Sequence, residues 1–180
     1  MRIYFTGSES SGKSTLCRYI SKEYKLDMIT EVARKILAEK ELNLDSLRSN
    51  LDLVNSYQKE IFYRQIFEES KYESFVSDRS IIDAMAYTAQ HSSILSELFY
   101  SEEFKKSIEE LKKDDVYIFY IKPTKATLSQ DGVRETLYWD KIIATDSMIK
   151  FMLELFNLRY FQINTDSSQE RIKLIKSILR

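Results

Sequence analysis

The sequence is poor in the residue types that build zinc sites. It holds one cysteine and one histidine among 180 residues, which are too few for a zinc site within the chain. Cys17 falls on the apolar side of a helical pattern, so we interpret it as a small core residue rather than a nucleophile. His91 ends another helical pattern before two serines, a position more typical of a solvated helix end than of a catalytic base.

The chain also lacks an excess of charge of either sign and a long apolar run. Lysine and arginine number 27 and aspartate and glutamate 28, for a formal net charge of −1 at pH 7. No bulk attraction to nucleic acid or to an anionic membrane follows, so any affinity for phosphate must be local. Because we find neither a signal peptide nor an apolar stretch that spans a bilayer, we expect a cytoplasmic protein with no nucleic acid and no membrane among its partners.

Apolar and aromatic residues, in contrast, are plentiful. Hydrophobic residues make up 43% and aromatic residues 13% of the 180 residues, enough for a sizeable core. The sequence shows no internal repeat, low-complexity tract or domain linker. We therefore predict one domain that spans residues 1–180.

One glycine- and serine-rich stretch has a spacing that encodes chemistry. It runs Gly7-Ser8-Glu9-Ser10-Ser11-Gly12-Lys13-Ser14-Thr15 and matches the phosphate-binding P-loop. Its glycines allow a sharp turn and a close approach of backbone amides to phosphate, and the helix that follows points unpaired N–H groups at the same place. Lys13 is predicted to reach the β- and γ-phosphates of ATP, and the Ser14 hydroxyl to bind a bridging Mg²⁺. We predict that the whole stretch forms the ATP site.

The residues around the P-loop supply the context that the motif requires. A short apolar and β-prone run, Arg2-Ile3-Tyr4-Phe5-Thr6, precedes it, and apolar residues follow at helical spacing. The alternative is a serine- and glycine-rich linker that matches by chance. Such a linker would not lie between a buried strand and an amphipathic helix.

Strand-like and helix-like segments alternate along the chain. Strands are predicted at residues 2–6, 27–30, 75–77, 116–121 and 159–163. Because strands separated by helices pair in parallel and helices then cover both faces, the predicted fold class is α/β, with a doubly wound parallel sheet of about five strands. Ligands collect at the carboxyl ends of such strands, which places the P-loop, Glu31, Asp78 and the loop after Ile163 along one rim.

Some helix limits also follow from the pattern. A long helix is predicted over residues 46–70 with Asp45 or Ser46 as its N-cap, and a further helix over residues 94–111. The run Ser167-Ser168-Gln169-Glu170 has the spacing of a capping box and predicts the start of a closing helix.

A polar, irregular segment follows the fourth strand. Pro123 ends that strand, and helical spacing resumes only past Asp140. Kinases of this architecture carry a lid at this point, so we predict a lid at approximately residues 124–142. Gly132 would supply a flexible point in it, and Arg134 a charge that moves onto the phosphates as the site closes.

Four short motifs occur in the order of a known family. They are Thr6 to Leu16 around the P-loop, Thr30-Glu31-Val32-Ala33-Arg34, Ser77-Asp78-Arg79 and Asp131-Gly132-Val133-Arg134. Together they resemble the P-loop family that includes the ribosylnicotinamide kinase domain of the bacterial NAD-biosynthesis regulator, although Val32 stands where that family usually has an aromatic residue. The acidic residues after the second and third strands are more distantly similar to those of the deoxynucleoside kinases. The resemblance implies a nucleoside or nucleotide kinase-like P-loop fold that uses ATP and Mg²⁺.

A kinase of this kind must hold two anionic reactants and stabilise charge on the transferred phosphoryl group. Asp78 is then expected to hold Mg²⁺, directly or through water, opposite Ser14. A helix N-cap is the alternative interpretation of Asp78. Arg79 is expected to bind the acceptor or the transferred phosphate, and its alternative is a surface ion pair.

The acceptor side has weaker signals. Glu31 is our candidate for the residue that positions or deprotonates the acceptor hydroxyl, although a carboxylate at a helix start is also favourable for the helix dipole alone. Arg34 lies about one helical turn further on, and it either shares the acceptor pocket or pairs with Glu31. Arg134 is either a catalytic arginine or a solvated loop charge. The predicted catalytic residues are Lys13, Glu31, Asp78, Arg79 and Arg134.

These motifs predict an enzyme that transfers a phosphoryl group from ATP to a small nucleoside-like acceptor, such as ribosylnicotinamide, a nucleoside or a nucleotide. A signalling GTPase would need an Asp-x-x-Gly contact and an Asn-Lys-x-Asp guanine reader, and the sequence has neither. A regulatory or nucleic-acid-associated P-loop ATPase is the alternative, against which the near-neutral charge argues. The acceptor, its reacting group and whether the protein is a homodimer stay open at this point.

Overall fold

The computed structural model of the protein describes residues 1–43, 47, 49–124 and 139–179. Strands and helices alternate through these residues. In chain order they are β1 (Arg2–Thr6), α1 (Lys13–Tyr24), β2 (Asp27–Ile29), α2 (Val32–Glu39), α3 (Leu51–Glu69), β3 (Phe75–Asp78), α4 (Ile81–His91), α5 (Leu95–Phe99), α6 (Glu102–Leu111), β4 (Val116–Ile121), α7 (Trp139–Leu155), β5 (Tyr160–Ile163) and α8 (Ser168–Ile178).

All five of these strands join one parallel sheet in the order β2-β3-β1-β4-β5. The predicted α/β fold with a doubly wound parallel sheet is therefore confirmed. β1 is the central strand, and it pairs with β3 in a register that sets Phe5 opposite Asp78. Because both strands end at the same edge, Asp78 emerges beside the P-loop that follows β1.

The core consists of two clusters of buried side chains, one on each face of the sheet. Side chains alternate along β1, so that Tyr4 belongs to one cluster while Ile3 and Phe5 belong to the other. Helices α1 and α8 cover the face of Ile3 and Phe5, and α2 to α7 cover the opposite face. Cys17 is fully buried against Ile3 and Phe5 in this second cluster, as expected of a core residue. Burial raises the pKa of its thiol, which keeps it unreactive.

The long third helix begins later than the sequence pattern predicts. Its N-cap is Asn50, whose side-chain oxygen accepts from the backbone N–H groups of Asp52 and Leu53 at 2.9 and 3.2 Å. An asparagine in this position satisfies two of the amides that a helix start leaves unpaired. The predicted caps, Asp45 and Ser46, lie outside the described residues.

The segment predicted as one helix over residues 94–111 is two helices. Ser101 interrupts it with an extended backbone (φ −67°, ψ 150°) and caps α6, since its side chain accepts from the Phe104 N–H at 3.2 Å. A serine that bonds a nearby backbone amide competes with the helix in this way.

The closing helix begins at the predicted place with half of the predicted capping box. Ser167 Oγ accepts from the Glu170 N–H at 3.3 Å. The Glu170 carboxylate accepts from the Thr165 hydroxyl.

The predicted lid falls largely outside the described residues, which omit 125–138 and with them Gly132 and Arg134. Residues 139–142 form the first turn of α7, so helical structure resumes slightly earlier than the pattern predicts, and the limits of the lid stay a prediction. Among the described helices, we find none long and apolar enough to cross a membrane.

Candidate active site

The P-loop leaves the central strand at the carboxyl edge of the sheet. Gly7 and Gly12 have φ values of 139° and 87°, a region that residues with a Cβ rarely adopt. A Cβ on Gly7 would also lie 2.5 Å from the Ile121 carbonyl oxygen, so the close approach of the loop to β4 requires glycine here. Gly12 is the N-cap of α1 and offers no capping side chain. The first amides of α1 are therefore left for an anion.

Lys13 is almost fully buried under the loop, with 4% of its surface exposed. Its Nζ donates to the Ser8 carbonyl oxygen at 2.5 Å and to Ser11 Oγ at 3.1 Å. Burial, helped by the charge of Arg79, lowers the pKa of Lys13 to about 8. Phosphate oxygens are better acceptors for an ammonium group than a carbonyl is, so these contacts are ones that Lys13 can exchange for a ligand.

Ser14 and Asp78 form a close pair between α1 and the end of β3. Ser14 Oγ donates to Asp78 Oδ2 at 2.5 Å. The other carboxylate oxygen, Oδ1, is buried and has no hydrogen-bond partner among the described residues. A hydroxyl and a carboxylate with an unused oxygen are hard ligands of the kind that Mg²⁺ prefers, so these residues fit that ion. The described residues contain no group of three or more acidic, histidine or cysteine side chains that would hold a metal by itself, as is usual where nucleotide phosphates complete the coordination.

Glu31 lies across the rim, at the N-cap of α2, between two arginines. Arg34 Nε donates to its Oε2 at 3.0 Å, and Arg79 Nε donates to its Oε1 at 2.8 Å. The structure thus brings together Glu31, Arg34 and Arg79, the three residues predicted to bind the acceptor. It also shows that both arginines reach the same carboxylate.

Arg79 is not the surface charge of the alternative interpretation, because only 8% of it is exposed. Its backbone has a φ of 94°, an uncommon value for a residue with a Cβ. The guanidinium lies 5.0 Å from the centroid of the Tyr87 ring, and its Nη1 donates to the Gly7 carbonyl oxygen at 3.3 Å. Arg79 therefore connects the end of β3 with the start of the P-loop.

Asp83, in the first turn of α4, bonds the start of the P-loop, and sequence reasoning missed it. It is fully buried and accepts from Thr6 Oγ1 at 2.7 Å and from the Gly7 N–H at 3.1 Å. The N–H and the hydroxyl of Ser80 donate to the same carboxylate at 2.9 and 2.8 Å. Ser80 and Asp83 form the capping box of α4, so Ser80, not Asp78, is its N-cap. The Ser-x-x-Asp spacing was a signal for this residue in the sequence.

Glu9 is a P-loop residue whose side chain bonds α4. Its carboxylate accepts from the Tyr87 hydroxyl, and burial raises the pKa of Tyr87, so that the phenol stays protonated. Glu9 was predicted as part of the ATP site because it lies within the motif. Its side chain holds the loop against α4, and its part in an ATP site, through the backbone, stays a prediction.

A cavity of about 680 Å³ runs from the P-loop to α2. Its wall includes residues 10–15 of the P-loop and α1, Thr30 and Glu31 at the end of β2, and Asp78. Groups that suit a phosphate chain line one end, and a paired carboxylate lies at the other. Such a space can hold two reactants side by side.

Three solved structures share this fold. Deoxyadenosine kinase from M. mycoides with its products bound aligns with a TM-score of 0.68 and 14% identity, over 99% of this chain and 98% of that one. A NadR protein in complex with NR aligns with a TM-score of 0.75 and 16% identity, over 98% of this chain but only 50% of that chain. Shikimate kinase from Acinetobacter baumannii in complex with shikimate gives a TM-score of 0.59 and 13% identity, over 99% and 90%. No curated protein matches the sequence.

The family comparison covers nearly the whole chain. A family model described as an AAA domain matches residues 2–171. The match runs from β1 through the P-loop and the Asp78 region to the first turn of α8. The chain therefore belongs to this AAA domain family, and its fold is that of P-loop kinases.

Proposed function

We propose that this protein is an ATP- and Mg²⁺-dependent kinase that phosphorylates a small nucleoside-like acceptor. The observation that supports this most strongly is the arrangement of the cavity. Lys13, Ser14 and Asp78 line it on the side of the P-loop, and Glu31 and Arg34 line it on the side of α2. Structural neighbours that act on deoxyadenosine and shikimate share the fold, which makes a small-molecule kinase the natural class.

On the donor side, the amides of the P-loop and the first turn of α1 bind the phosphate chain of ATP. Lys13 leaves the Ser8 carbonyl and donates to phosphate oxygens, where its charge offsets the negative charge of the transferred group. Ser14 Oγ and Asp78 would hold Mg²⁺, which when bound supplies charge neutralisation between the β- and γ-phosphates. Asp78 Oδ1, without a protein partner, is the atom that is ready for this role.

On the acceptor side, Glu31 orients the acceptor hydroxyl and accepts its proton. Its carboxylate is held between two guanidinium groups, which fix its direction. An acceptor hydroxyl can bond a second lone pair of this carboxylate or take over one of the two hydrogen bonds. Arg79 is better fixed than Arg34, because it is buried and also bonds Gly7, so Arg34 is the arginine that moves to the acceptor.

Further parts of the proposal rest on the sequence. We retain residues 1–180 as one kinase domain and Arg134 as an arginine that reaches the phosphates during transfer. An arginine of this kind acts mainly in the transition state, so Arg134→Ala should lower kcat more than it weakens ATP binding.

The experiment that tests the proposal is a screen for acceptor-dependent ADP formation. The acceptors are nicotinamide riboside, the common nucleosides and their monophosphates, each with ATP and Mg²⁺. If the protein is a kinase, the rate of ADP formation should rise with the concentration of one class of acceptor. If no small acceptor changes the rate of ADP formation but added polynucleotide raises it, the result would instead favour the nucleic-acid-associated ATPase.

A further inference from the structure

Arg171, in the first turn of α8, is a buried cation beside the P-loop that the proposed chemistry has not used. Only 3% of its surface is exposed. Its Nη1 donates to the Ser11 carbonyl oxygen and its Nε to the Thr165 carbonyl oxygen, both at 2.6 Å. One guanidinium therefore connects the P-loop to the loop between β5 and α8, although Arg171 and Ser11 lie 160 residues apart in the chain.

The carbonyl that Arg171 holds controls the direction of an amide in the phosphate-binding loop. The Ser11 carbonyl and the Gly12 N–H belong to one planar trans peptide unit, so they point in opposite directions. Fixing the Ser11 oxygen against α8 therefore turns the Gly12 N–H to the opposite side. Among the described residues this N–H has no acceptor, as expected of a group that awaits a phosphate oxygen.

This peptide unit needs an external restraint because of the residue that follows it. Gly12 has a φ of 87° and no side chain to restrict its backbone. A peptide flip would replace the inward N–H with an inward carbonyl oxygen, which repels phosphate. A Cβ on Gly12 would also lie only 3.1 Å from Arg171 Nη1. The absence of a side chain at Gly12 thus leaves the space that the Arg171 guanidinium occupies.

Packing alone does not account for an arginine here. Its remaining group, Nη2, is buried without a hydrogen-bond partner among the described residues. An unpaired buried donor is costly, and an apolar side chain of similar volume would avoid that cost.

We propose that Arg171 is a positioning residue for the donor nucleotide, which holds the Ser11–Gly12 peptide so that the Gly12 N–H faces the phosphates. This inference rests on the proposed function in one respect, namely that the P-loop binds a nucleoside polyphosphate. It adds a residue from the far end of the chain to the ATP site. It also predicts that the β5–α8 loop and the P-loop respond together to the nucleotide.

The test uses the small number of glycines. With glycine alone labelled with ¹⁵N, the chain gives at most three amide resonances, from Gly7, Gly12 and Gly132, and Gly132→Ala identifies one of them. Gly7 serves as an internal reference, because its N–H already donates to Asp83. MgADP is titrated into the wild type, into Arg171→Met and into Lys173→Met, a control two residues on that changes an exposed cation of the same helix.

We expect MgADP to shift the Gly12 resonance strongly in the wild type and in Lys173→Met. In Arg171→Met this shift should be lost, and the dissociation constant of MgADP should rise about tenfold or more, since an aligned amide donor to a charged group is worth roughly 1.5–3 kcal/mol. In turnover assays KM for ATP should rise while KM for the acceptor stays unchanged.

If Arg171→Met does not fold, as judged by circular dichroism, Arg171→Lys takes its place. Lysine keeps the charge but has one donor atom for the two carbonyls. The Gly12 shift should therefore be reduced and the dissociation constant of MgADP raised, both by less than in Arg171→Met.

The outcomes separate this inference from the proposed function. A folded Arg171 variant with the wild-type Gly12 shift and affinity overturns the role of Arg171 and leaves the kinase proposal standing. A wild type that does not bind MgADP at all contradicts both.

Discussion

The two ends of the cavity differ in how far their polar atoms are already bonded by the protein. At the donor end, polar atoms are held by the protein scaffold yet keep an unused side, as in Asp78 Oδ1 and the Gly12 N–H. At the acceptor end, Glu31 is bonded on both carboxylate oxygens by Arg34 and Arg79. The donor end therefore offers a ligand atoms that have no partner among the described residues, in addition to Lys13, whose contacts can be exchanged. At the acceptor end, both carboxylate oxygens of Glu31 already accept hydrogen bonds from the protein.

This difference indicates the order in which the ends become competent. Binding of a phosphate chain requires only that Lys13 turn from the Ser8 carbonyl to the ligand. Binding of the acceptor adds a further hydrogen bond to a carboxylate that two arginines already bond, one of them the partly exposed Arg34. We expect the nucleotide to bind without the acceptor, and the acceptor to bind better once the nucleotide is present.

The largest effect should follow from a change at the donor end. Asp78→Asn removes the negative charge opposite Ser14 but keeps the shape of the side chain. We expect turnover to fall on the order of 10³-fold at millimolar Mg²⁺, because stabilisation of the transferred charge depends on this carboxylate. The rate measured against Mg²⁺ concentration should require more Mg²⁺ for half saturation. An unchanged Mg²⁺ dependence would remove Asp78 from the metal site.

A change at the acceptor end should have a smaller effect, confined to that end. Glu31→Gln should slow acceptor-dependent turnover by about 10²-fold, the usual contribution of a general base. The affinity for MgADP, measured by calorimetry, should stay within about twofold of the wild type, because Glu31 makes no contact with the P-loop backbone among the described hydrogen bonds. If Glu31→Gln and Asp78→Asn lose nucleotide affinity equally, the two ends do not divide the work as we describe.

The smallest of these effects is a dependence of nucleotide affinity on pH, which arises at the donor end. Burial lowers the pKa of Lys13 to about 8, and only the ammonium form attracts phosphate. The association constant for MgADP should therefore fall by about tenfold between pH 7 and pH 9. In Lys13→Arg, whose guanidinium keeps its charge in this range, binding is weaker but the fall should be absent. A wild-type affinity that is level up to pH 10 would show that Lys13 keeps its proton in the free protein.

The same pKa has a consequence for stability, with a sign that can be checked. The folded protein releases the Lys13 proton near pH 8, and the unfolded chain releases it near pH 10.5. Between these values the unfolded state binds more protons, so the contribution of Lys13 to the free energy of unfolding rises with pH. Denaturant titrations of wild type and Lys13→Met at pH 7.5 and 10 measure this contribution. The free energy of unfolding of the wild type should rise relative to that of the variant between pH 7.5 and pH 10.

The sequence predicted the parts of this molecule that depend on local spacing. The sheet follows from the alternation of strand and helix patterns, and the P-loop from the fixed offsets of Gly7, Gly12, Lys13 and Ser14. The start of the long helix was wrong, because the choice between Asn50 and earlier polar residues as cap depends on where the chain packs. The break at Ser101 was missed for a similar reason, since apolar periodicity continues on both sides of it.

Residues that act through distant contacts had little or no signal. Asp83 bonds Thr6 and Gly7, which lie more than seventy positions earlier, so its role appears only once β1 and β3 pair. Arg171 was one charge among 27 basic residues until α8 placed it against Ser11. Nothing in the sequence distinguishes such a cation from a solvated one.

The central claim is that the two ends of the cavity cooperate in one phosphoryl transfer. It is tested most directly by following the γ-phosphoryl label of ATP into the acceptor that the screen identifies, with wild type and Lys13→Ala side by side. The account predicts labelled acceptor with the wild type and a rate lower by on the order of 10³-fold or more with the variant, while thermal unfolding shows that the variant is folded. Label that appears only in inorganic phosphate, or a variant that transfers it at the wild-type rate, would contradict the account.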